Sequence, residues 1–223
     1  MSKFIVMGLI SVVFFCGCTK EREEMKMADF AEEKRGEWSP GLNGEEKATL
    51  LKIAEDTLRW CVSNPTNEFN WHQYNVTTNL QKSLHTFVTL KKNGDLRGCI
   101  GSVPPWPSAK LFVGVHHNTM KAALQDHRFN KVTPDELDDI DLHLSILSPA
   151  KKIETLDSFE IGEHGLILGK GLARAVFLPE VAAEQGWTKE ETASQLSMKA
   201  GLGKDDWRVG GHFMVLSSVV LSR

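Results

Sequence analysis

Cys99 is the residue of this chain best equipped for chemistry. It stands in Leu96-Arg97-Gly98-Cys99-Ile100-Gly101, with a glycine just before it and another two residues after. The thiolate is the reactive form of cysteine, and a neighbouring cation favours it. Read as an extended strand, the segment puts residues 97 and 99 on one face. Arg97 is then placed to hold a thiolate or to clamp a substrate carboxylate or phosphate. His164, in Gly162-Glu163-His164-Gly165, is the candidate general base. Asp126, Arg128 and Lys199 are the candidate binding groups. Each has a plainer alternative. Cys99 packs as a small hydrophobe, and Arg97 pairs with a buried carboxylate such as Asp126. His164 caps a turn through its ring nitrogens, Asp126 and Arg128 form a local ion pair, and Lys199 complements a helix C-terminus. The glycines permit either unusual backbone angles or close approach to the thiol.

Metal and cofactor chemistry find no support in the pattern. His116 and His117 are adjacent on a helix and face different ways. With His143 and His212 they lack ligand spacing, and there is no CxxC pair. No phosphate-cradling glycine loop occurs, so no metal and no cofactor are expected.

These groups need a domain to hold them. The chain has 223 residues, 41% of them hydrophobic, enough for one sizeable core or a core with a smaller lobe. Its 26 basic and 29 acidic residues leave a net charge of -3, which argues against a nucleic-acid partner. Residues 1–17 read as a lipoprotein signal peptide. Lys3 precedes an apolar run from Phe4 to Phe15, too short to span a bilayer, and Phe15-Cys16-Gly17-Cys18 resembles a lipobox. Cys18 is then acylated, and the mature chain is anchored to a membrane of the cell envelope. Left unprocessed, the chain stays in the cytoplasm. Residues 18–42 carry dense mixed charge and read as a solvated tether. The domain follows over 43–223. Outside the cytoplasm, Cys61 and Cys99 either stay free or form a disulfide.

Within the domain, Asn43 and Glu46 cap a helix that runs to about Val62. Strands Leu84–Lys91 and Leu96–Val103 flank Asn93-Gly94, a hairpin turn. A helix runs from Pro107 or Ser108 to about Gln125. Thr133-Pro134-Asp135-Glu136 opens a short helix, and Ile140 to Leu147 alternates as a half-buried strand. Later strands fall at 166–168, 173–177 and 212–221, with helices beginning at Pro179 and after Thr188. This mixed order predicts an α+β fold with a largely antiparallel sheet flanked by helices.

The motif strand resembles the signature of the AMMECR1 domain. Four further stretches agree in order. They are Ala122-Ala123 with Asp126-x-Arg128-Phe129; Gly162-x-His164-Gly165-Leu166; Leu178-Pro179-x-Val181-Ala182; and Lys199-Ala200-Gly201-Leu202 with Trp207. The resemblance covers roughly residues 43–221. His127 replaces the family's usual proline, and Ser197 replaces a cysteine found in many bacterial members. The resemblance implies a larger and a smaller lobe. It also implies the company of a Memo-like protein and a radical-SAM protein, with this domain as component A of that system. It supplies no reaction.

Three functions are consistent with these residues. The favoured one is a tethered binding or accessory component with a small-molecule cleft around Arg97, Cys99 and His164. The second is a cysteine-dependent enzyme with Cys99 as nucleophile and His164 as base. In the third, the motif strand only braces two lobes.

Overall fold

The structure, a computed structural model, describes residues 30–63, 65–104 and 107–223. Residues 1–17, expected to be a signal peptide, and Cys18 lie outside them. Two antiparallel sheets carry the fold. The first has strands β1 (Ala31–Arg35), β2 (His85–Lys92), β3 (Asp95–Gly101), β4 (Ile140–Leu147) and β9 (Ser218–Ser222), in the order β1-β9-β4-β2-β3. Helices α1 (Gly44–Val62) and α2 (Leu111–Leu124) cover one face of it. The second sheet has β5 (Lys151–Ile153), β6 (Gly165–Lys170), β7 (Ala173–Phe177) and β8 (His212–Leu216), in the order β5-β8-β6-β7. Helices α3 (Pro179–Glu184) and α4 (Lys189–Lys199) pack on it.

Local sequence accounts for most boundaries. Asn43 and Glu46 exchange backbone-to-side-chain bonds of 2.9 Å each, closing the capping box of α1. Asn93 and Gly94 take φ of 54° and 84°, as the tight turn between β2 and β3 requires. Along β2, Val88 and Leu90 are buried against α1 and α2, while Phe87 joins a smaller apolar cluster with Leu147, Ile167 and Leu216. That cluster fastens the second lobe to the face of the first sheet turned away from its helices.

The structure corrects three boundaries. Residues 31–35 belong to the domain, not to a tether: β1 pairs with β9, Trp38 packs against the main core, and Leu42 is buried. Charge concealed this strand, because an edge strand gains its stability from backbone pairing and keeps charged side chains in water. The last strand is two. Ser217 ends β8 and its N donates to Ser148 Oγ at 2.9 Å, after which β9 joins the other sheet. Ser148 N returns a bond to Ser217 O at 2.9 Å, so the two chain crossings between the sheets are tied together. Helix α2 begins at Leu111, because Leu111 N is bound to Lys82 O at 2.9 Å and Lys110 bridges Ser83.

Candidate functional site

Cys99 lies on β3, in register with Thr89 of β2, and Thr89 with His143 of β4. This row lies on the face towards the second lobe. The two glycines of the motif serve packing. A Cβ on Gly98 would overlap the Ala122 carbonyl of α2, and one on Gly101 would overlap the Phe87 ring. Neither takes a positive φ, so close approach is their role. Thr89 Oγ1 donates to Cys99 Sγ at 3.2 Å. Burial pushes the thiol up from its ordinary value, and the Thr89 bond and the Arg128 charge only partly offset this. Cys61 and Cys99 are both free thiols, and Cys61 is buried in the main core.

Asp126 and Arg128 hold the strand in place. Asp126 Oδ2 accepts from Cys99 N at 2.9 Å and from Arg128 Nη2 at 2.7 Å, while Oδ1 accepts from Arg128 Nε at 3.0 Å. Arg128 Nη2 also donates to Cys99 O at 3.1 Å. The bond from Arg128 holds the Asp126 carboxyl down to about 2. Both backbone polar groups of Cys99 are thus bound by one ion pair.

Arg97 is not beside the thiol. Leu90 pairs with Gly98 and Lys91 with Leu96, so Arg97 is the extra residue of a β-bulge. The bulge breaks the alternation that would place residues 97 and 99 on one face. Arg97 Nε and Nη2 grip Glu136 at 3.0 and 2.9 Å, and its other bonds go to Asn130 O and Lys131 O. Glu136, whose carboxyl this grip holds far below its ordinary value, also caps the turn at Thr133. The carboxylate partner of Arg97 is therefore Glu136, not Asp126.

His164 also stands apart. Its Nδ1 accepts from Glu160 N at 3.1 Å, and the residue lines a groove of about 630 Å³ with Trp38, Ser148 and Ser217. Among the charges that act on the Cys99 thiol are those of Arg128, Asp126 and Glu180.

The second lobe contributes two charged groups. Lys199, at the end of α4, donates to Val176 O at 2.9 Å and lies 4.6 Å from the centre of the Phe177 ring. Burial pushes its ammonium down, with the Cys99 and Arg128 charges acting on it too. Glu180, in the first turn of α3, is pushed up by burial and then by Glu184. Thr89, Ser145, His143 and Glu180 line a cavity of about 140 Å³, which Glu33 and Arg35 of β1 wall on one side. Sequence reasoning missed Glu180 and Thr89. Glu180 stands at the open position of Leu178-Pro179-x-Val181-Ala182, and Thr89 lies within the predicted strand Leu84–Lys91. Among the described residues, no group of three or more His, Cys, Asp or Glu is arranged to hold a metal ion.

The AMMECR1 family model matches residues 51–215, from within α1 to β8. The chain belongs to the AMMECR1 family. It is 43% identical over 125 residues to a protein of Methanothermobacter thermautotrophicus, covering 53% of this chain and 64% of that one. A protein of Thermofilum pendens is 33% identical over 186 residues, covering 76% and 85%. The chain thus spans just under two thirds of the first relative's length and most of the second's. The crystal structure of an uncharacterised protein from Pyrococcus horikoshii superposes with a TM-score of 0.71 at 24% identity, covering 82% of this chain and 93% of that one. That likeness supports the α+β fold of this AMMECR1-family member. Strand β1, with Glu33 and Arg35, lies before the matched residues.

Proposed function

We propose that this AMMECR1-family protein is a membrane-tethered binding component whose ligand site lies where the second lobe meets the motif strand. Cys99, Thr89, Arg128, Lys199 and Glu180 make up that site. The carrying observation is the state of the thiol. Burial keeps it protonated, and the two groups named to activate it, Arg97 and His164, are engaged elsewhere. A protonated thiol accepting a bond from Thr89 suits a binding wall better than a nucleophile.

Cys18 supplies the tether in this reading. Ala31 follows it by thirteen residues, which span at most about 45 Å when fully extended. The domain would then ride close to the bilayer surface of the envelope. Family resemblance supports a Memo-like protein and a radical-SAM protein as partners. Export would exclude direct contact with a cytoplasmic copy of either.

The test of the site is alkylation of the folded protein by a mild electrophile at neutral pH. This reading expects Cys99 and Cys61 both to react far more slowly than in the denatured chain. Rapid labelling confined to Cys99 would establish the nucleophile instead. Intact mass after membrane extraction tests the tether: loss of residues 1–17 with acyl mass on Cys18 is expected, and an unmodified N-terminus in the soluble fraction contradicts it.

A further inference from the structure

On the helical side of the first sheet, across it from Cys99, an aromatic cavity opens beside α1 and α2. Trp60 comes from the last turn of α1 and His116 from α2, while Phe69 and Trp71 come from the irregular stretch after α1. The His116 ring centre lies 4.6 Å from that of Phe69, 5.0 Å from Trp71 and 5.6 Å from Trp60. Phe69 meets the two indoles edge to face, at 74° and 71°. Phe69 and His116 are buried, whereas Trp60 and Trp71 stay half-exposed and offer ring surface to the cavity they line.

His116 is the informative member. It is polar and only 7% exposed, yet it lines the cavity. Its Nδ1 lies 2.8 Å from the buried Thr57 Oγ1, which leaves Nε2 for a ligand. Burial first, and then His117, pushes the ring down to about 4, so it stands as a neutral imidazole at physiological pH. The rim is polar. Thr66, Asn67 and Glu68 are exposed there, and Trp60 Nε1 donates to Asn67 O at 3.2 Å, pinning the rim to the indole. The cavity holds about 430 Å³, within the range of small-molecule clefts.

Flat aromatic rings beside uncharged hydrogen-bonding groups suit a pyranose sugar. Its C–H faces carry slight positive charge and pack against the negative faces of indole and phenyl rings. Its hydroxyls need donors and acceptors, which Thr66, Asn67, Glu68 and the neutral His116 supply. A quaternary ammonium would use the rings but could accept or donate no bond with these groups. A phosphorylated ligand would meet Glu68, with no lysine or arginine in the described lining.

We propose that this cavity binds a pyranose sugar, stacked on Trp60 or Trp71, with its hydroxyls bonded to Asn67, Glu68 and His116. It is a second site, separate from the Cys99 region and independent of how that region is read.

The test is titration of the full chain with cellobiose, chitobiose and lactose, read by tryptophan fluorescence and saturation-transfer NMR. Sorbitol, an open-chain polyol, and choline are the controls. At least one disaccharide is expected to bind with a Kd on the order of 1 mM or tighter, and at least about tenfold more tightly than either control. Joint replacement of the exposed rim residues, Asn67→Ala with Glu68→Ala, should weaken binding about tenfold, and Trp71→Leu should do so at least as much. No binding by any of the three sugars would overturn the proposal. Sorbitol binding as tightly would also overturn it, because the rings would then play no part. Choline binding more tightly than every sugar would give the rings to an ammonium ligand and likewise defeat it. So would unchanged affinity in both variants. Should Trp71→Leu fail to fold, the rim variant decides. Saturating sugar should leave the alkylation rate of Cys99 unchanged; a slower rate would place the sugar at the other site and refute this one. A fast-reacting Cys99 would defeat the binding reading of its own region and leave this cavity untouched.

Discussion

Thr89 Oγ1 and Cys99 Sγ lie 3.2 Å apart across the β2–β3 ladder, with the hydroxyl donating to the sulfur. The contact holds the thiol towards the second lobe, within the fields of Arg128, Asp126 and Glu180. A strand brought by two close-packing glycines against α2 and the Phe87 ring thus presents one soft polar atom to a charged junction between lobes.

The ion pair behind that strand sets an acid limit on stability. Asp126 is lowered from an ordinary 3.8 to about 2 in the fold. The unfolded chain therefore binds more protons between those values, and stability falls as pH drops through that window. The contribution is present above about pH 4 and is lost by about pH 2, on the order of 2 kcal/mol. Asp126→Asn should flatten that part of the profile, as followed by denaturant unfolding at several pH values. A wild-type and a variant curve that stay parallel would refute it.

The glycines should be intolerant for steric reasons. Gly98→Ala pushes a methyl against the Ala122 carbonyl, and Gly101→Ala pushes one into the Phe87 ring. Each is expected to cost about 1–3 kcal/mol, as overpacking does. Gly171, whose Cβ position is open but whose φ is 58°, provides a comparison in which only backbone strain acts. Urea midpoints measure all three, and a Gly98→Ala protein as stable as the parent would rule out the close-packing role.

Strand β1 should be necessary, not ornamental. A chain beginning at Glu37 leaves β9 as an open edge with Val219 and Leu221 in it, and removes the Lys47–Glu32 pair. The expected result is a melting temperature lower by several degrees and self-association through the exposed edge. Scanning calorimetry and light scattering read these. An equally stable, monodisperse short chain would return residues 31–35 to the role of a tether.

How much of this is legible in the sequence depends on the range of the interaction. Short-range chemistry reads well: Asn43 with Glu46, Thr133 with Glu136 and Thr188 with Glu191 all form their capping boxes, and Asn93-Gly94 turns the hairpin. The strand Ile140–Leu147 forms as predicted but is not half-buried: Ser145 and Leu147 are covered as well as Leu144 and Ile146, because the second lobe packs on the face that the alternation left open. Arg97 defeats the same logic, because one bulged residue reverses every facing inferred across it and leaves no periodic trace. His164 and Cys99 are motif residues of one family, yet His164 lines a groove whose walls do not include Cys99. Glu180 becomes visible only once the second lobe is docked on β2 and β3. That docking is a packing outcome between residues about eighty apart in the chain, beyond any local pattern.

The central claim is that Cys99 rests as a protonated thiol in a binding wall. The most direct measurement is the pH–rate profile for alkylation of Cys99 in the folded protein, read by peptide mass spectrometry. Because the thiol is raised above its ordinary 9.0, the rate should still be rising past pH 9. A profile that levels off at or below pH 7 would show an activated thiolate and contradict the account.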